Sequence, residues 1–167
     1  KEQLENDCLC YLSVEQEQVK ASRLFLGKIH LEVSKQFSEY FNESEDKYKN
    51  IEPDQKILDD CINSEEMIFY ENGLPDNYEL EKKDIEKFDN FSKAYHQLMY
   101  ELCIYEAAQI ERILDNNDTT EKIYISGGFV NNEIFVEFID RFFSEKEVLL
   151  SDIDNSTALG AAMVVNK

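Results

Sequence analysis

The sequence predicts an α/β fold, on three observations. The last part of the chain alternates strand-like and helical stretches: Lys122–Ser126, about Asn132–Phe143, Glu147–Ser151, then "TALGAAMVV" (157–165). Alternating units of this kind make a parallel sheet flanked by helices. A long helical period from about Asp84 to Leu114 carries an apolar face wide enough to pack firmly on a sheet. Near the start, "CLCYLS" (8–13) and "VKASRLFL" (19–26) read as two strands joined by the polar turn "VEQEQ", a β-hairpin.

The remaining elements follow from spacing. Ile29, Val33, Phe37 and Phe41 recur every four residues, which predicts an amphipathic helix. "NESEDKYKN" (42–50) is a charged loop, and Glu52-Pro53-Asp54 opens a short helix to about Ile62, with the proline near its first turn. Residues 63–83, which include "NGLPDN", read as an irregular excursion. Within the long helix, Met99, Cys103, Ala107, Ile110 and Leu114 form one stripe, and Leu98, Leu102 and Tyr105 a neighbouring one. "DNNDTTE" (115–121) ends that helix. It lacks the sixth-position glycine and the closing glutamate of a calcium loop. The helix after the second glycine buries Ile134, Phe135, Phe138, Ile139 and Phe142.

With 167 residues, 43% of them hydrophobic, the chain suits one domain or one lobe of a two-lobed protein, here taken as a single unit over 1–167. The net charge of -19 repels nucleic acid and anionic membranes, so neither is expected as a partner. A phosphorylated ligand stays open, because backbone N–H groups bind phosphate without a basic patch. No apolar run approaches the roughly 20 residues that span a bilayer. Four cysteines are too few for a disulfide scaffold and read as reduced and cytoplasmic. Cys8 and Cys10 alternate along a strand, but Cys61 and Cys103 make no zinc pattern with them, so no metal site is expected. The N-x-S/T triplets at Asn42, Asn90, Asn117 and Asn155 are then chance matches. The chain begins at Lys1 rather than Met, which suits a piece of a longer protein.

The segment that asks for a functional explanation is "YISGGFVNN" (124–132). In a chain with five glycines, Gly127 and Gly128 stand together at the carboxyl end of a strand and just before a helix. One reading is a tight turn followed by a capping asparagine, Asn131 or Asn132. The other is a close approach of ligand to backbone, since ligands of open α/β sheets bind outside that end of the strands and glycine presents no Cβ. Neither the G-x-G-x-x-G fingerprint nor a P-loop is present.

The stretches "IYISGGFVNNEIFVEFIDRFF", "EVLLSD" and "STALGAAMVV", with "VKASRLFLG" and "AYHQLMYEL" upstream, resemble the carboxy-terminal end of FGGY-type carbohydrate kinases, the sugar and polyol kinases of the actin-like ATPase superfamily. The resemblance implies a ribonuclease-H-like lobe, with a mixed sheet and helices on both faces. It implies ATP, with Mg2+ held mainly by the phosphates and by residues outside this chain, and a sugar or polyol bound mainly by another lobe. In that family the glycine pair closes over the adenosine of ATP. Matched residue by residue, the nucleotide side is Gly127, Gly128 and Asn132, with Phe129 beside the base. Asn132 also reads as a pure N-cap and Phe129 as lid packing. Ala158, Gly160, Ala161 and Ala162 form a small face near the family's interlobe hinge, or ordinary core packing.

The family's catalytic aspartate, its sugar-binding residues and its phosphate loops fall before the matched region, and no residue here is assigned a catalytic role. Asp152 and Asp154 read as solvated loop acids, His30 and His96 as structural, and Lys20, Arg23 and Lys28 as a local salt-bridging cluster. The expected function is therefore a kinase lobe supplying half of the ATP site. The rivals are a non-catalytic nucleotide-binding or regulatory module and an acidic helical interaction domain; a homodimer is left open. The resemblance also implies a first strand, upstream of Lys1, lying between Cys8–Ser13 and Lys122–Ser126. Its absence is expected to be made good by direct pairing of those two strands, by a neighbouring molecule or by an upstream segment.

Overall fold

The computed structural model describes residues 8–13, 16–74, 78–114, 118–151 and 153. Strands β1 (Cys8–Leu12) and β2 (Gln18–Ser22) pair antiparallel, Cys8 opposite Ser22, as the hairpin reading expects. Helix α1 (Leu26–Phe41) follows, then a 3-10 turn (Lys47–Asn50), α2 (Gln55–Ser64), the single turn α3 (Lys82–Ile85) and the long α4 (Phe91–Ile113). Strand β3 (Lys122–Ile125), a 3-10 turn over Gly127–Asn131, α5 (Glu133–Phe142) and β4 (Glu147–Leu150) complete the described elements. β3 and β4 pair parallel, with Ile123 opposite Val148 and Ile125 opposite Leu150. This is the β-loop-α-β unit that the alternation predicts, with α5 as its crossover. The final helix expected at 157–165, with Ala158, Gly160, Ala161 and Ala162, lies outside the described residues, as do Asp152, Asp154, Asn117 and Asn155.

Three boundaries differ from the sequence reading, each for a local reason. The second strand ends at Ser22 rather than Leu26, because Leu26 already belongs to α1 and is buried on its inner face. The long helix starts at Phe91, not Asp84. Asn90 takes an extended backbone (φ -160°, ψ 165°) and its side chain accepts the Lys93 N–H, which is an N-cap and not a helix interior. Pro53 stands before α2, whose cap is Asp54, accepting from the N–H groups of Lys56 and Ile57. At the far end of α1, Asn42 adopts the left-handed conformation that asparagine tolerates better than most residues.

The described strands form two separate two-stranded sheets rather than one mixed sheet. β1 and β3 do not pair, so direct closure of the expected gap is not what this chain adopts, and no five-stranded sheet forms among the described residues. Residues 123–126, in β3 and just after it, line a groove of about 630 Å³ together with Leu24, Phe25, Glu106 and Ile110.

α4 holds the domain together, packing against β2, α1, α2 and α5. The expected stripe is too narrow a description of it. From Ala94 to Cys103 every residue is buried, polar ones included. A helix buried all round must bring partners for its polar side chains, since an unpaired buried polar group costs several kcal/mol. These side chains secure segments from other parts of the chain. His96 Nε2 accepts the Asp54 N–H (3.0 Å) while its Nδ1–H donates to the Ser92 carbonyl (2.8 Å), which fixes the start of α2 and keeps the ring neutral. Gln97 donates to the Glu66 carbonyl (2.7 Å).

Glu101 does most for the irregular excursion. Its Oε1 accepts from Ile68 and Phe69 and its Oε2 from Phe69 and Tyr70, at 2.7–3.1 Å, and Gln97 Nε2 adds a further donor. Burial pushes this carboxyl above its ordinary value, against the opposing pull of those N–H groups. Tyr105 donates to the Tyr70 carbonyl (2.8 Å), and Gln36 of α1 grips residues 78–80 through the Tyr78 carbonyl and the Leu80 N–H. A stretch with no secondary structure is thus held by side chains from two helices. Among the described residues no helix is long and apolar enough to cross a membrane.

Glu101→Gln replaces one accepting oxygen by an amide that faces the N–H groups of loop 68–70, and leaves at least one of them unpaired. A loss of about 2–3 kcal/mol in unfolding free energy is expected, from the usual cost of a buried unsatisfied donor. Urea unfolding measures the loss, and amide exchange at residues 68–70 should accelerate before that of α4.

Candidate functional site

The glycine pair lies where β3 ends and the chain turns into α5. Gly127 has φ +74°, the left-handed region that a side chain resists by about 1–2 kcal/mol, so the first glycine is a requirement of the turn itself. Gly128 is different. Its φ is ordinary and a Cβ built there would meet no atom within 4 Å. Nothing in the fold demands glycine at 128, and the backbone there is exposed. The first half of the pair answers to the tight-turn reading; the second leaves open backbone for something else.

Two clefts meet at Gly128 and Phe129. One is the groove beside β3. The other, of about 730 Å³, is lined by His30 and Leu31 of α1, Tyr48–Glu52, Tyr95 of α4, and Gly128, Phe129 and Asn131–Glu133. Its walls carry aromatic rings at the bottom and charge at the rim. The His30 ring is edge-on to Tyr48 (centroids 4.9 Å apart), Tyr95 (5.7 Å) and Phe129 (5.5 Å). Phe129 lies against Phe135 (4.5 Å), so its ring is half-buried between the two clefts, as lid packing would have it, with part of it facing each. Glu52, Glu133 and Lys49 stand among the residues of the larger cleft, and Lys49 is engaged by Asp46 through an exposed ion pair.

Asn132 caps α5: its Oδ1 accepts the Phe135 N–H at 3.1 Å. That bond fixes the amide orientation, so Nδ2 is the donor to Tyr95 Oη (2.8 Å) and to Met99 Sδ (3.3 Å). Asn132 therefore lines the cleft with its hydrogen-bonding capacity already committed, and the capping role is the one its geometry displays. Tyr95 Oη also lies 2.8 Å from His30 Nε2. Burial drops His30 to about 4 and pushes the Tyr95 phenol up, so the imidazole accepts while the phenol keeps its proton.

The other sequence candidates lie elsewhere. Lys28 sits over the Tyr78 ring at 5.3 Å, and Lys20 and Arg23 each have an interaction partner, in keeping with a local role. Cys61 and Cys103 are buried free thiols with raised pKa values, that of Cys61 at about 11. Among the described residues no group of three or more His, Cys, Asp or Glu could hold a metal ion. Sequence reasoning missed Tyr95 and Tyr48. "AYHQL" offered a signal for Tyr95, since a tyrosine on the buried face of a helix must find a partner for its hydroxyl.

The chain matches a family described as "Carbohydrate kinase FGGY, C-terminal domain" over residues 3–167. It belongs to that family. No curated protein and no solved structure matches it. The family carries the actin-like ATPase fold and makes this FGGY chain part of a carbohydrate kinase, with a sugar as substrate class and ATP as the phosphoryl donor class.

The environment of His30 has a consequence for pH. In the unfolded chain the imidazole titrates at its ordinary 6.5; in the fold it stays neutral down to about 4. Acidification through that window lets the unfolded chain take up a proton that the fold refuses. The stability contributed by neutral His30 is complete above about 6.5 and lost as pH falls towards 4. His30→Gln removes that proton, so between pH 7 and 4 wild type should lose up to about 3 kcal/mol more than the variant. Urea midpoints of both proteins at the two pH values check it, the comparison cancelling the acid dependence of the many carboxylates.

Proposed function

We propose that this FGGY domain supplies the adenosine side of the ATP site of a kinase that transfers the γ-phosphoryl group to a sugar or polyol hydroxyl. The observation that carries the reading is the backbone at Gly128, exposed, free of any steric demand for glycine, and opening onto an aromatic-lined cleft. Gly127 and Gly128 let the nucleoside touch the main chain, the Phe129 and Tyr48 rings give the base an apolar surface, and Asn132 holds the turn in place by capping α5.

Electrostatics favours the nucleoside end over the phosphate end. Glu52 and Glu133 stand at the larger cleft while Lys49 is engaged by Asp46. A triphosphate carrying several negative charges would be repelled there, whereas a neutral base and ribose would not. Phosphoryl transfer depends mainly on aligning donor and acceptor and on neutralising charge at the phosphates. Magnesium would be held mainly by the ATP phosphates and by residues outside this chain. What this chain contributes is to anchor the far end of the donor and keep water from the base.

Gly128→Val places a branched side chain in the space assigned to the nucleotide, at a position where the added Cβ meets no neighbouring side chain or backbone within 4 Å. In the intact kinase it should raise the apparent ATP constant by about tenfold or more, the change that ~1.4 kcal/mol produces, with the sugar constant little altered. A folded variant with an unchanged ATP constant would contradict the assignment. The 167-residue chain by itself should show no sugar-kinase turnover, because the resemblance places base, acceptor site and phosphate loops before the matched region. A coupled assay across a sugar panel tests this, and rates of ~1–100 s⁻¹, usual for kinases, would overturn it.

A further inference from the structure

The polar contacts around the glycine turn form a directed chain. Asn132 cannot rotate its amide without losing the Phe135 N–H, so Nδ2–H must donate to Tyr95 Oη. The phenol oxygen, accepting there, has its own hydrogen free to donate, and His30 Nε2 lies 2.8 Å away. The sequence of bonds is thus Asn132 Nδ2–H to Tyr95 O–H to His30 Nε2. Tyr95 is 1% exposed. The same imidazole meets the Phe129 ring edge-on, so His30 touches the turn a second time, through its aromatic residue. Both ends of 129–132 are therefore referred to one histidine on α1 and one tyrosine on α4, with Met99 of α4 as a second acceptor for the Asn132 amide.

We infer that His30 and Tyr95 are positioning residues for the nucleotide: by fixing Asn132 and Phe129 they hold the Gly127–Gly128 backbone at the height the nucleoside requires. The inference rests on the proposed ATP site and adds the residues that set its affinity. Neutral His30 is the accepting form that the chain needs, and burial keeps it so at any pH above about 4. A histidine read from sequence as structural thus acquires a definite task, and its replacement by glutamine has a definite outcome. Glutamine can offer an accepting oxygen where Nε2 stood; leucine cannot.

ADP binding by calorimetry on the intact protein tests this, with wild type, Gly128→Val, Tyr95→Phe, His30→Leu and His30→Gln compared after each is shown to unfold cooperatively. Tyr95→Phe and His30→Leu should weaken ADP about three- to tenfold, the range that the loss of one hydrogen bond produces, with the sugar constant unchanged. His30→Gln should recover most of the loss. A purely structural role would lower the number of competent sites and leave the ADP dissociation constant of the remaining sites at the wild-type value. If Gly128→Val weakens ADP while Tyr95→Phe and His30→Leu do not, or glutamine fares no better than leucine, the positioning role is wrong and the nucleotide site stands. If Gly128→Val also binds ADP normally, the site itself is misplaced and the positioning role falls with it. Should Tyr95→Phe fail to fold, the leucine and glutamine pair at His30 decides.

Discussion

The complete burial of α4 from Ala94 to Cys103 is the constraint from which the rest of the domain follows. A helix sunk in the interior gains apolar contact on all sides, but its polar side chains have no water to fall back on. Tyr95, His96, Gln97 and Glu101 occur within seven positions and so point in several directions around the axis. Each must be met by a polar group from another segment. Tyr95 meets α1 and the glycine turn, His96 the cap of α2, Gln97 and Glu101 the excursion after α2. The polar residues of the core thereby do what apolar packing cannot. They specify which loop docks where, because a hydrogen bond is satisfied only in one register.

That organisation links the core to the proposed site at the strand end. β3 delivers Gly127 and Gly128 to the surface, and α5 carries the chain back under the sheet through Phe135, Phe138 and Ile139. The turn between them has Phe129 and Val130 partly buried against the core. The Asn132 cap and the Tyr95 hydroxyl tie it down at its last residue, Phe135 and His30 at Phe129. A turn held at one end and open at Gly128 is suited to accept a flat ligand against rigid main chain, which limits the ordering cost of binding.

Much of this was legible in the chain itself. The alternation after Lys122 predicts β3, α5 and β4 to within a residue or two, because local period and turn chemistry agree there. The asparagine before an apolar period announces its own cap. Glu101 was harder to read. It falls three residues after Leu98 and four before Tyr105, on an apolar stripe, and its partners are backbone groups some thirty positions away that no pattern displays. The break before Phe91 was hidden for a related reason: helical spacing continues through Ile85 and Phe88, so only the cap geometry of Asn90 reveals a new start. Sheet pairing is a long-range property, and the expectation of a single mixed sheet came from resemblance rather than from spacing. The separate hairpin and parallel pair reflect what β1 and β3 find beside them among the described residues.

The claim that ties these observations together is that a nucleoside rests on the backbone of Gly127 and Gly128. Amide hydrogen exchange on the intact protein, with and without ADP and separately with sugar, tests it most directly. ADP should slow exchange over residues 127–132 and around Tyr48, while sugar alone leaves that region unchanged. Protection by ADP that appears elsewhere, with residues 127–132 exchanging as in the free protein, would contradict the account.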